Sequence, residues 1–336
     1  MRLNWKSALG IALSAALLVW TLRGESLSEI WGEISRADVP LLALAALVAT
    51  AIFPLRAIRW RIILGPLGED MPIAPLWRSI AIGMMVNNIY PARLGEIARA
   101  YALTRETNKV SLTASVASLA VDRVFDALTL MLLLVSAMLA PEFPKGMTVG
   151  GQPIQRGAAL FAVGALGLFV ALYVIVAFPR HLVRLYAAVV GRVAPRFVER
   201  GSAIIHGFSD GLGVLRSPRR FIAVFLWAVA HWLVNALAFW IGFKAVGIDV
   251  PVSAANFLQG IIAIGVALPS SPGFFGVFEA AAKVGLAVYS VPGGQAVTWA
   301  IGFHILSFIP ITLFGLYYFA RLGLHFRDFR SQPNEA

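Results

Sequence analysis

Apolar residues run along this chain in long blocks, separated by short polar intervals rich in arginine. A bilayer core about 30 Å thick requires around 20 mostly apolar residues per helix. Blocks 39–55, 111–140, 157–178, 221–246 and 296–320 meet that measure. The run Ser7–Trp20 behind the basic start Met1–Lys6 is read as an uncleaved first span, because Thr21-Leu22-Arg23-Gly24-Glu25 has no small-x-small cleavage pattern. Two further apolar stretches, 72–104 and 251–290, are interrupted midway by Pro and Gly clusters. These predict helices that break inside the bilayer.

The two breaks share a spacing. Pro91 follows Pro72 by 19 residues, Pro272 follows Pro251 by 21, and a glycine stands four positions after each second proline, Gly95 and Gly276. A full span precedes and follows each broken stretch, so 39–140 and 221–320 read as two copies of span, broken segment, span. Such duplication is characteristic of transporters, although Pro and Gly are also generally commoner in transmembrane helices.

Lys and Arg accumulate on the cytoplasmic side of membrane proteins. With the N-terminus inside and each broken segment returning to its own side, the cytoplasmic stretches are 1–6, 56–71, 99–110, 179–220 and 321–336, which hold most of the basic residues. The outer loops are 23–38, 141–156 and the turn near Asp249. The copies then enter from opposite faces, which makes the repeat inverted. The expectation is an all-α polytopic membrane protein with about six transmembrane helices plus two broken re-entrant helical segments in an inverted repeat. It forms one membrane domain over 1–326, with a connector at 179–220, a short polar tail at 327–336 and both termini cytoplasmic.

Composition narrows the function. Lys and Arg number 28 against 17 Asp and Glu, a formal charge of +11, yet 59% of residues are hydrophobic and only 13% charged. That leaves too little polar surface for a soluble nucleic-acid binder. With no cysteine, disulfides, cysteine-ligated zinc and thiol chemistry are excluded. HExxH, P-loop and GxSxG motifs are absent, so no cofactor or metal is expected.

Half-helix ends at a break present unpaired N–H groups and partial positive charge, which suits anionic headgroups. In the first break, Asn87, Asn88, Pro91, Arg93, Gly95, Glu96 and Arg99 are candidates, with Arg93 and Arg99 on a phosphate and Glu96 holding either of them. In the second, at Pro272, Ser270, Ser271 and the N–H groups from Gly273 to Gly276 supply neutral donors, and Glu279 is expected to pair with Lys283 one turn on. Ionisable residues inside a membrane mark pathways, whereas the bland alternative is mutual neutralisation. Asp122, Arg123 and Asp126 lie in the span after the first break, as counter-ions to its arginines or as proton carriers. His231 with Asn235, and His304, read as interhelical polar contacts. Arg192, Arg196 and Arg200 recur at helical spacing, reading as a basic interfacial helix or a soluble connector.

NNIYPARLGEIARAYAL, DRVFDAL, PSSPGFFGVFEAA and LRAIRW resemble the transmembrane region of lysylphosphatidylglycerol synthases and its stand-alone, flippase-like relatives, over roughly 39–320. The first motif holds Asn88, Pro91, Arg93, Gly95, Glu96 and Arg99; the second holds Pro269, Ser271, Pro272, Gly273, Gly276 and Glu279. Where that family usually has Glu-Arg, this chain has Asp122-Arg123. The resemblance implies translocation across a bacterial inner membrane of a lipid with a polar headgroup: an anionic phospholipid, an aminoacylated lipid or a polyprenyl-phosphate glycolipid. A second copy or a lipid-synthesis enzyme is the protein partner it suggests. Only Arg321–Ala336 follows the last span, so the chain is not expected to aminoacylate lipids. The alternatives are a membrane enzyme acting on lipid phosphates, with Glu96 or Asp126 as acid or base, and an accessory subunit.

Overall fold

The computed structural model describes residues 5–90, 94–144, 217–267 and 270–325, with parts of 146–198 between them. Pro91, Arg93, Pro269, Arg196, Arg200, the tail 327–336 and much of the expected span 157–178 lie outside the described residues.

Eleven helices frame the described chain: α1 Trp5–Leu22, α2 Leu27–Arg36, α3 Val39–Leu64, α4 Ile73–Ile89, α5 Gly95–Glu106, α6 Leu112–Met138, α7 Pro179–Val193, α8 Pro218–Ala245, α9 Val252–Ala267, α10 Val277–Ala287 and α11 Gly293–Arg321. A two-residue antiparallel ladder joins Thr148–Val149 to Gln152–Pro153. By length and composition α3, α8 and α11 can cross a membrane; at 1.5 Å per residue each reaches about 40 Å. α6 has 27 residues but carries Asp122, Arg123 and Asp126.

Local chemistry sets the boundaries. Asp38 caps α3 by accepting from the Leu41 N–H at 3.0 Å, and Gly65, in the left-handed region at φ 61°, ends it. Ser111 caps α6 through the Ala114 N–H at 3.2 Å. The expected outer loop 23–38 instead contains α2, whose buried Ile30 and the Glu33–Thr298 hydrogen bond of 2.7 Å anchor it to α11.

Both broken stretches fold as tight helical hairpins. In the first, Arg78 near the start of α4 donates to Glu106 at the end of α5. Nearer the tip, a Cβ on Gly83 would lie 2.7 Å from the Gly95 carbonyl oxygen, so the helices touch backbone to backbone. In the second, a Cβ on Gly285 would meet Leu258 at 2.6 Å and one on Gly265 would meet Ala281 at 3.2 Å.

α3 packs most extensively on α8, and they run antiparallel: the Asp38 N–H bonds to the Ala245 carbonyl at 2.8 Å at one end, and Arg220 pairs with Glu69 at the other. α4 packs against α11, with Trp77 edge-on to Phe314, and α9 packs against α6, with Gly260 at Leu134. The two larger buried cores lie around Trp60, Leu76 and Phe125 and around Trp299, Phe239 and Phe243. The 3₁₀ turn Pro272–Phe274 at the second hairpin's tip touches α4, so the hairpins meet inside the bundle.

Candidate functional site

Where α3, α5, α6 and α8 converge, a buried ion cluster forms. Arg59 has no exposed side-chain surface and bridges both carboxylates of α6, Asp122 at 2.5 Å and Asp126 at 2.8 Å. Those two aspartates, four residues apart, face the same neighbour because that spacing is about one helical turn. Arg99 reaches Asp122 at 3.1 Å and lies over the Trp60 ring at 4.0 Å, while the Trp60 indole donates to Ser118 at 2.8 Å. Arg56 sits 3.7 Å from Asp122 and 3.8 Å from Asp126. Arg123 pairs with Glu96 and lies 3.7 Å from Asp126. Asp126 also accepts from the Trp232 indole at 3.0 Å, with the His231 Nε2 3.5 Å away.

Charge bookkeeping gives the cluster its character. Four guanidinium groups, Arg56, Arg59, Arg99 and Arg123, face three carboxylates, Glu96, Asp122 and Asp126, leaving a formal +1 with His231 neutral. Arg123 is the outlet, since its side chain is 47% exposed whereas those of Arg59 and Arg99 are buried.

Arg123 opens onto a cavity of about 540 Å³ between the hairpins. Its lining is mixed: Asn88, Arg123, Asp126, Asn235, Gln259, His304 and Ser307 supply polar groups, and Phe53, Leu130, Phe239, Ile262, Phe278 and Phe308 supply apolar surface. Asn88 donates to Thr312 at 2.7 Å and Asn235 to Gln259 at 3.2 Å, which fixes their orientation. Gly273 and Phe274, both with left-handed φ, bring the second hairpin's tip to the wall. Among the described residues no group of three or more His, Cys, Asp or Glu side chains is placed to hold a metal ion.

The cluster unites Glu96, Arg99, Asp122, Arg123 and Asp126, and Asn88, Gly273 and His304 join the cavity wall. Other expectations are corrected. Glu279 does not pair with Lys283: it accepts the Gly276 N–H at 2.6 Å, capping α10, and meets the His304 Nδ1 at 2.6 Å between Phe275 and Phe278. Lys283 turns instead to Glu25 at 2.7 Å and the Thr21 carbonyl at 2.8 Å, because its part of α10 faces the end of α1. Arg99 is turned toward Asp122 and Trp60 and does not line the cavity. Asn87 is occupied by the Gly95 N–H at 2.9 Å, and Ser271 is held by α1, its N–H donating to the Ser14 hydroxyl at 2.8 Å. The Ser270 backbone faces Gly10 of α1, and Pro272 opens the 3₁₀ turn.

Arg56 and Arg59 were not expected in the site; the sequence places them in a cytoplasmic flank. The missed signal is the largely apolar stretch Trp60, Ile62, Ile63 and Leu64 beyond them, which continues α3 for about one and a half turns. Two arginines three residues apart inside such a run share one helix face.

A family model described as the lysylphosphatidylglycerol synthase TM region matches residues 7–315. A relative named glycosyltransferase AglD, from Haloferax volcanii, is 31% identical over 286 residues, covering 77% of this chain and 45% of that protein. The chain therefore spans less than half of that relative's length. A UPF0104 membrane protein of Methanothermobacter thermautotrophicus is 24% identical over 320 residues, covering 92% of this chain and 90% of the relative. The UPF0104 membrane protein MJ1078 of Methanocaldococcus jannaschii is 23% identical over 235 residues, covering 69% and 92%. No solved structure matches the chain.

Proposed function

Since the chain belongs to the lysylphosphatidylglycerol synthase transmembrane-region family, we propose that it translocates a lipid with an anionic or polar headgroup, the headgroup passing through the cavity between the hairpins while the tails stay in the bilayer. The observation that carries this reading is the cavity itself, about 540 Å³, lined both by Arg123, the exposed member of a cluster with a formal charge of +1, and by aromatic and aliphatic side chains. An excess positive charge away from bulk water attracts a phosphate strongly, and Arg123 offers it a planar fork.

Re-entrant hairpins in an inverted repeat belong to the same reading. Exchanging α3–α6 for α8–α11 carries the α3–α8 contact onto itself and α4–α11 onto α9–α6, and the two equivalent helices α3 and α8 are antiparallel. That arrangement allows one half to rock against the other around a fixed central site. With the charge bias as guide, the membrane face bearing Arg61, Arg219 and Arg220 is cytoplasmic.

The test is movement of headgroup-labelled phosphatidylglycerol, its lysyl ester and a polyprenyl phosphate in proteoliposomes. Protein-dependent movement that falls about tenfold or more in Arg123→Gln, with folding intact, is expected; wild-type rates in that variant would remove Arg123 from the pathway. A second reading rests on the name of the Haloferax volcanii relative: the membrane unit serves a glycosyltransferase working on a membrane lipid. It predicts no lipid movement by the purified protein and a transferase that co-purifies with it.

A further inference from the structure

The two ends of the antiparallel α3–α8 pair differ. One end is closed by the Asp38–Ala245 backbone bond of 2.8 Å, with Lys244 and Asp249 paired beside it. The other opens into a separate pocket of about 450 Å³ between the last turn of α3 and the first turns of α8. Arg61, Glu69, Arg219 and Arg220 line it, with Gly65 and Ala223.

Its charge is lopsided. Glu69 neutralises Arg220, while Arg61 and Arg219 have no acid within ion-pair distance among the described residues. Two uncompensated guanidinium groups therefore face one cavity, and with the neighbouring Asp70 counted the surroundings remain positive. Pro218 opens α8 at this point, so the partial positive charge of that helix start adds to the field. Gly65, at φ 61°, turns the chain sharply out of α3 and keeps the mouth free of a side chain. Both helices are long apolar candidates for crossing a membrane, which puts the pocket at headgroup depth where they emerge.

We infer that this pocket is a second anion site, separate from the central cavity, that holds the phosphodiester of one anionic phospholipid through Arg61 and Arg219. It rests on the pocket's own geometry and does not require the translocation reading. A free phosphate shares the chemistry, but the position at the ends of two apolar helices favours a lipid whose tails lie along α3 and α8.

The test counts phosphatidylglycerol molecules retained by the full chain from mixed phosphatidylglycerol and phosphatidylcholine micelles, using native mass spectrometry. It compares wild type, the pair Arg61→Gln with Arg219→Gln, the charge-neutral filling variant Ala223→Phe, and Arg105→Gln as a control for net charge. Arg123→Gln is measured alongside, so that any lipid in the central cavity is counted separately. The expected result is one phosphatidylglycerol held by Arg123→Gln, and the same one held by wild type and Arg105→Gln in addition to any lipid that Arg123 retains in the central cavity, with affinity for it lower by about tenfold or more in the pair and in Ala223→Phe. Equal retention in wild type and the paired variant overturns the site. Displacement of the lipid by 10 mM inorganic phosphate (on the order of ordinary buffer use) assigns the pocket to a soluble anion and overturns the lipid assignment; retention under phosphate supports it.

Discussion

In the first hairpin, the acid of the half-helix after the break, Glu96, pairs with Arg123 of the following span; in the second, Glu279 pairs with His304 of the following span. The contact is the same, but its surroundings are not. Around Glu96 lie four arginines and two further carboxylates, whereas Glu279 and His304 lie between Phe275 and Phe278. The buried tryptophans repeat the contrast: Trp60 supports the Arg99 guanidinium and donates to Ser118, while Trp299 packs on Phe239, Phe243 and Phe303. One frame thus carries two chemistries. The first half supplies fixed charge, and the second supplies an aromatic, nearly neutral wall.

If that division is correct, the halves respond differently to loss of a polar group. The largest effect belongs to Arg59→Leu, which leaves Asp122 and Asp126 short of their main partner. Breaking a buried charge pair from one side costs about 3–5 kcal/mol, so unfolding in detergent should occur at markedly lower temperature or denaturant. Glu279→Ala removes the cap of α10 and the partner of His304, for about 2 kcal/mol; Glu279→Gln, which can still accept the Gly276 N–H, should recover roughly half of it. Trp60→Phe loses a hydrogen bond and weakens a cation–π contact and should destabilise by about 1–2 kcal/mol. Trp299→Phe, whose indole N–H has no acceptor among the described residues, should cost less in the same assay. Arg123→Gln should destabilise less than Arg59→Leu, because Arg123 is the most exposed of the four arginines and Glu96 keeps Arg99 at 3.9 Å, while suppressing lipid movement. The smallest effect is at Asp249, where the hydrogen bond and charge of Lys244 hold the carboxyl below its usual range. Its contribution is present above the ordinary carboxylate range and fades as pH falls through the depressed value; because Asp249 is 92% exposed, solvent screens the pair, so Asp249→Asn should lower the midpoint at neutral pH only marginally and not at all in acid.

Gly95 and Gly276 show how far a sequence pattern reaches. Both stand four residues after a proline, and that spacing locates both hairpin tips. The physical reasons differ. Gly95 is small so that α4 and α5 can touch at Gly83 and Asn87, whereas Gly276 adopts φ 83° and lies against the Ser14 backbone of α1. The charges of α6 and the break were legible because ionisable groups stand out in apolar sequence, and their pairing with arginines follows from desolvation. Arg56 and Arg59 were hidden because an arginine ending an apolar window looks like a membrane flank until its partners are known. The Glu279–Lys283 expectation failed for a related reason: spacing says which residues can meet on one helix, not which neighbouring helix offers a better partner. α2 is not legible in the sequence because its amphipathic turns are short and follow a polar interval.

The central claim, that a headgroup enters the cavity between the hairpins, is open to one direct measurement, helped by the absence of native cysteine. Ser307→Cys places a single thiol on the cavity wall beside His304. The protein would be reconstituted in phosphatidylcholine vesicles with and without phosphatidylglycerol and treated with a charged, water-soluble thiol reagent. The account predicts labelling in phosphatidylcholine alone and several-fold slower labelling with phosphatidylglycerol present, the protection disappearing in Arg123→Gln. Labelling at the same rate in both vesicles, or none in either with the protein folded, would contradict it.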